Sequence, residues 1–373
     1  NLPNDPPGKA SNVAWAFKWL LLHLEETQQD TSKVVLTIAD ADSDFHKFYF
    51  DSLTQQFIQT EQTKRALTIW QSPVFHVKNY HRQPMPLIVG TMFTAMAEIA
   101  VLADPNSIRF PYSTYSLSLH LARHVGGWDA EWIAEDWHMG IKCFLLTLGK
   151  SQVQPVLLPT VNYMPEDHSW LGTVCARWSQ AKRHALGFSD MSYFFMMLPL
   201  LFCRLSVSRK QDENLSDFWR LFFHGLAYVV RLVNTHVVVG IMTLYMIISF
   251  LLKNVMYFVL SDVRHIGQLF DRSTVAASLF FTASLINIAI TTLSFQVVYH
   301  HIKDRMEPPA GTWEKLFSFK IFHWLYTFAA CVAFAAIYCT GLATAVWIAA
   351  IKVLVSKTFE YEVAAKPTKD MHL

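Results

Sequence analysis

Charge is scarce in this chain. Only 16% of its 373 residues are Asp, Glu, Lys or Arg, and the formal net charge is +2. Soluble domains carry about a quarter, and a near-neutral balance offers no concentrated basic face, which excludes nucleic acid as a partner. Patterned cysteine is missing too. Cys143, Cys175, Cys203, Cys331 and Cys339 are scattered with no CxxC pair, which excludes a disulfide scaffold and a structural zinc site. His120 and His124 have zinc-ligand spacing, but no third ligand and no HExxH accompany them. There is no internal repeat and no low-complexity tract. The opening residues, Asn-Leu-Pro-Asn-Asp-Pro-Pro, lack the charged start and apolar run of a signal peptide. The expectation is a fragment of a longer protein.

Apolar residues are abundant, at 52%. Near residue 190 the pattern changes from mixed polar and apolar to long apolar runs. Before that point, residues 10–28, Phe45–Thr60 and Leu87–Leu102 read as helices, and Val34–Ala39 and Ala66–Gln71 as strands. Strands alternating with helices predict a mostly parallel, covered sheet, with ligands bound outside the carboxyl ends of its strands. Beyond residue 190, Thr235–Leu252, Thr274–Val298, Phe317–Tyr338 and the shorter Leu342–Val355 are candidate membrane spans. Met191–Leu205 and Asp217–Val233 read as interfacial helices. With that division, the basic residues of 207–234, 299–316 and the tail fall on one side, which the positive-inside rule makes cytosolic.

Three groups of residues point to chemistry. Asp40 and Asp42, two positions apart at the end of a buried-type strand, can hold one Mg²⁺ or Mn²⁺ whose other positions a diphosphate fills; the bland alternative is a solvated turn. Gly126-Gly127-Trp128 permits a tight positive-φ turn ahead of Glu135 and Asp136, which open a helix running to about Leu148. Acidic residues in a first turn complement the helix dipole, but a carboxylate there can also act as a general base. Arg177, Gln180, Arg183 and His184 recur on one helical face, which could grip phosphate oxygens or lie against anionic lipid.

In this order the groups resemble the family 2 glycosyltransferases, especially the membrane-integrated branch with the cellulose, chitin and hyaluronan synthases. The DxD is Asp40 and Asp42, the catalytic ED pair is Glu135 and Asp136, and the QxxRW box is Gln180, Arg183 and His184. Gly8-Lys9-Ala10-Ser11-Asn12 is similar to the segment that precedes the DxD. The resemblance implies a partial GT-A-like, Rossmann-like nucleotide-sugar domain over residues 1–188. Interfacial helices would occupy 189–234, about four transmembrane helices 235–356, and a cytosolic tail 357–373. It also implies inverting transfer from a nucleoside-diphosphate sugar to a glycan or lipid-linked acceptor. In that scheme Asp136 is the base beside Glu135, and Asp40 and Asp42 hold Mg²⁺ or Mn²⁺. Lys9, Asn12, Trp137, Arg177, Gln180, Arg183 and His184 contact donor or acceptor. The protein would be integral to the plasma membrane or Golgi, with its catalytic domain in the cytosol. His184 replaces the family's acceptor-stacking Trp, so the acceptor and the number of sugars added stay open. The family's first βαβ half is expected before residue 8. Three alternatives remain: single transfer to a lipid-linked acceptor, a membrane transporter with a cytosolic regulatory domain, and a fragment that is catalytically inactive alone.

Overall fold

The computed structural model describes residues 6–207, 211–238, 264–308 and 343–356, with scattered residues of 240–251 and 321–341. The Phe317–Tyr338 span therefore lies largely, and the Thr235–Leu252 span partly, outside the described residues, as do the tail, Cys331 and Cys339.

The first part of the chain is a mixed α/β unit. In order it contains α1 (Lys9–Glu26), β1 (Val35–Ile38), β2 (Asp44–Phe45), α2 (Tyr49–Gln59), α3 (Gln62–Arg65), β3 (Thr68–Gln71) and β4 (Val74–His76). After these come α4 (Met85–Ala103), β5 (Tyr115–Ser118), α5 (Leu119–His124), α6 (Glu135–Leu146), β6 (Gln152–Pro155), β7 (Thr160–Asn162) and α7 (Trp170–Ala185). Four strands form one sheet in the order β1-β5-β3-β6, and three form another in the order β2-β7-β4.

The mostly parallel sheet expected from the sequence is not what forms. β5 runs antiparallel to both β1 and β3, and β2 runs antiparallel to β7. Only β3–β6 and β4–β7 are parallel. The physical reason is the entry of β5. Tyr115, its first residue, pairs with Ile38 and Gln71, the last residues of β1 and β3. The chain thus enters the sheet at the carboxyl ends of its neighbours, and the residues just before β5 land beside the acidic turn that follows β1.

The central strands β3 and β5 are buried at every position. Against them packs a core of Phe17 from α1, Leu119 and Leu121 from α5, Trp128, and Met139 and Cys143 from α6. The Ser118 hydroxyl caps α5 by accepting from the Leu121 amide at 3.0 Å, the standard way to satisfy an orphan donor at a helix start. The expected Phe45–Thr60 helix begins later, because Asp44 and Phe45 pair with β7 as a short strand.

Among the described residues, four helical stretches are long and apolar enough to cross a membrane: Met85–Ala103, Trp170–Leu205, Leu215–Val238 and Leu285–Arg305. The first is α4, read from the sequence as a helix of the globular part. The second joins α7 to α8 (Phe188–Val207), and the third overlaps α9 (Gln211–Val233); these contain the two segments expected in the interface. The fourth lies at the end of α10 (Arg264–Ile302), which contains the expected Thr274–Val298 span. Ala343–Val355 is helical but only 13 residues long.

α10 packs on α4 through Phe295 and Ile302, which join Tyr80, Ile88, Met92 and Ala95 in one apolar cluster. Just beyond α10 the chain is strapped to the small sheet. Arg305 donates to the Pro159 carbonyl at 2.6 Å and pairs with Asp44 at 3.3 Å. The Glu307 amide donates to the Lys78 carbonyl at 2.8 Å, and its carboxylate accepts from Tyr163 Oη at 2.6 Å and from Arg82.

Candidate active site

The site is assembled from four chain segments at the carboxyl ends of β1 and β3. β1 delivers Asp40 and Asp42. The start of α1 delivers Lys9, the turn before β5 delivers Ser113, and the first turn of α6 delivers Glu135 and Asp136. The glycine pair sets the approach of α6. Gly126 and Gly127 have φ of +79° and +77°, and a Cβ on Gly127 would stand 2.5 Å from the Phe17 ring.

Lys9 is the hub of the charge network. Its Nζ lies 3.0 Å from Asp40 Oδ1 and 2.8 Å from Glu135 Oε1, and it donates to the Ser113 carbonyl at 2.5 Å. The Glu135 contact is an ion pair without an aligned hydrogen bond to that oxygen. Burial works against the Lys9 charge, but Glu135, Asp40 and Asp136 outweigh it and hold the ammonium above its ordinary range. Burial pushes the Glu135 carboxyl up to about 7; Asp136 adds to the rise and Lys9 opposes it.

Ser113 ties the Asp40 carboxylate to the Asp136 carboxylate. Its amide donates to Asp136 Oδ2 at 2.7 Å, and its hydroxyl donates to Asp40 Oδ2 at 2.6 Å. Asn162 of β7 reaches the same two oxygens, at 3.4 Å from Asp40 Oδ2 and 3.3 Å from the Ser113 hydroxyl. The other Asp136 oxygen accepts from the Trp137 amide at 2.8 Å. Asp42 Oδ2 accepts from the Tyr163 amide at 2.9 Å, and Lys78 donates to the Asp42 carbonyl at 3.3 Å.

Among the described residues, no three His, Cys, Asp or Glu side chains converge as a metal-ligand set. Asp40 and Asp42 thus do not close a cage on their own.

The remaining expected site residues divide. α7 carries Arg183 and His184 in its last turn. His184 is exposed, and the charges of Arg183, Arg177, His76 and Asp40 all reach it. Arg177 instead braces its own helix, donating to Gln180 Oε1 and, at 3.5 Å, to Thr91 of α4; Gln180 is buried. Trp137 stacks on Phe110 with ring centroids 4.4 Å apart and meets His236 edge-on, so its ring is engaged in packing. Asn12 is exposed one turn along α1, and no side-chain hydrogen bond joins it to the network.

A second charged cluster on α6 was not expected from the sequence. His138 Nε2 lies 2.9 Å from Asp129 and Nδ1 lies 3.0 Å from Asp190. Lys142 adds a contact to Asp129 at 2.8 Å, and the Trp132 ring stacks on the imidazole at 3.9 Å. Burial works against the imidazolium, but Asp129 and Asp190 outweigh it and raise the His138 pKa. Asp129 is held down at about 2: burial opposes the fall, and His138 and Lys142 overcome it. The usable signal was the i, i+4 pair His138 and Lys142, downstream of Asp129.

The sequence matches no protein-family model, and no curated protein is similar to it at a significant level.

Proposed function

We propose that this chain is a membrane-bound inverting glycosyltransferase of the family 2 type, moving a sugar from a nucleoside-diphosphate donor to a glycan acceptor. The observation that carries the reading is the linkage of Asp40 to Asp136 through the single residue Ser113. Residues 96 positions apart in sequence are held together at the carboxyl ends of β1 and β3. A transporter reading has no comparable support, because the linked Asp40, Ser113 and Asp136 lie outside the four membrane-length helices found among the described residues.

In this reading Asp136 accepts the proton of the acceptor hydroxyl. The freed oxygen forms a bond to the anomeric carbon as the bond from that carbon to the diphosphate breaks, with inversion. The diphosphate departs with the bonding electron pair. Asp40 and Asp42 would hold Mg²⁺ or Mn²⁺, which when bound neutralises charge on the departing diphosphate. Lys9 holds Asp40 and Glu135 together, and Arg183 and His184 face the donor or the acceptor end. The sheet-bearing part would lie in the cytosol, at the plasma membrane or Golgi.

The test is nucleoside diphosphate release from a panel of UDP- and GDP-sugars by membranes carrying the protein. Release that needs Mg²⁺ or Mn²⁺ and is lost in Asp136→Asn is the expected result. Release untouched by that substitution would remove Asp136 as the base, and no release from any donor by the folded protein would overturn the reading.

A further inference from the structure

Ser113 sits in an unusual backbone conformation. Its φ is +52°, and the Thr114 amide closes back on the Tyr112 carbonyl at 2.6 Å. This is a γ-turn with positive φ at its centre, a rare and strained form. Glycine is the residue such a site favours, because it has no Cβ to clash. Here a serine occupies it. What serine offers over glycine is a Cβ and a hydroxyl, and the hydroxyl is in use on Asp40.

The turn is also held from below. The buried Gln71 side chain, at the end of β3, accepts from the Tyr112 amide at 2.9 Å and donates to the Thr114 and Tyr112 carbonyls at 2.9 and 3.2 Å. On the other flank, the Thr114 and Ser43 hydroxyls share a hydrogen bond of 2.9 Å, and Ser43 in turn closes the acidic turn, its amide bonding the Asp40 carbonyl at 3.0 Å. Strained backbone persists only where its surroundings over-determine it, and such positions cluster at functional sites.

We infer that Ser113 is a positioning residue that fixes the spacing between Asp40 and Asp136, its hydroxyl orienting the first and its amide the second. The inference rests on the transferase reading for what the two carboxylates do. The amide contact survives any substitution other than proline, so the hydroxyl is the part that can be removed cleanly. Without it, the Asp40 carboxylate keeps Lys9 on one oxygen and loses its short contact on the other. That oxygen then keeps the longer Asn162 contact at 3.4 Å, a weaker hold on the carboxylate's orientation.

Two variants separate this role from a merely structural one. Ser113→Gly removes the hydroxyl and suits the backbone, while Ser113→Ala removes the hydroxyl and keeps the strain. The first measurement is Mn²⁺ binding by the purified full chain in the presence of UDP, followed by electron paramagnetic resonance. The half-saturating Mn²⁺ concentration is expected to rise about tenfold or more in both variants, the scale of one lost hydrogen bond to a charged group. The melting temperature of Ser113→Gly is expected to match the parent. The second measurement is turnover, with kcat expected to fall about tenfold through misplacement of the reacting groups while the donor KM holds. Parent-like Mn²⁺ binding in Ser113→Gly would overturn the inference whatever turnover does, as would a parent that binds no Mn²⁺. A parent that binds Mn²⁺ but turns over no sugar nucleotide would sink the transferase reading alone, and the titration would still judge Ser113.

Discussion

Two charged clusters meet on α6, and their arithmetic differs. Around the first turn stand three carboxylates, Asp40, Glu135 and Asp136, with one ammonium, Lys9, in contact with two of them. Three residues further on, two carboxylates, Asp129 and Asp190, face two basic groups, His138 and Lys142. The second cluster is formally neutral and closed by the stacked Trp132 ring. The first carries an excess of negative charge at the edge of a cleft. A balanced buried cluster holds a fold together but has no electrostatic reason to recruit anything. An unbalanced one lowers its energy by taking up positive charge. The same helix therefore serves structure with one group of side chains and, in our reading, chemistry with another.

The sharpest way to break this contrast is to exchange the expected effects. Asp136→Asn is expected to reduce turnover about a thousandfold, the scale of a general base, with the melting temperature kept; assays of nucleoside diphosphate release and thermal unfolding check both halves. His138→Ala is expected to do the reverse. It leaves the fully buried Asp190 without its imidazolium, at a cost of about 3 kcal/mol, read from denaturation of the purified chain, while the donor KM stays put. If His138→Ala instead raised the Mn²⁺ requirement and spared stability, the two clusters would not be separable.

Gly127→Ala should injure both clusters together, because the glycine turn aims α6 into each. A Cβ at φ +77° and 2.5 Å from Phe17 is expected to cost about 2 kcal/mol, with turnover and melting temperature falling in parallel. The smallest effect is on pH dependence. The Glu135 carboxyl lies near 7 in the folded chain, against an ordinary 4.5. Between those values the folded chain holds a proton that the unfolded chain has released, so stability falls as pH rises through that window. Glu135→Gln is expected to flatten that fall. The raised His138 contributes stability that is present below 6.5 and lost as pH rises through its folded value. His138→Ala is expected to remove that later decline and leave the earlier one.

Much of the local structure was legible. α1, β1, β3 and α6 lie within a few residues of their expected bounds because hydrophobic periodicity is a local property. Asp40, Glu135 and Asp136 were found through their places at a strand end and a helix start, and the glycine pair through its spacing before the acidic residues. Strand direction was not legible. Four buried residues in a row look alike whichever way they run, so the antiparallel entry of β5 went unseen. Ser113-Thr114-Tyr115-Ser116 could be read as a polar stretch near the acceptor, but that single feature hid what Ser113 touches, since only an antiparallel β5 brings its leading turn to the end of β1. The His138 cluster was hidden for a different reason: Asp190 comes from α8, 52 residues away, and no local pattern announces that meeting.

The strap beyond α10 has a mechanical consequence. Arg305 and Glu307 grip the small sheet and its flanking loops at Asp44, Lys78, Arg82, Pro159 and Tyr163. A one-turn slide of this helix, about 5.4 Å, would tear every one of those fastenings at once. Smaller tilts have a direct outlet, because Tyr163 is anchored to Glu307 at its hydroxyl and to Asp42 at its amide. The end of the helix and the acidic turn are thus joined through the one residue Tyr163.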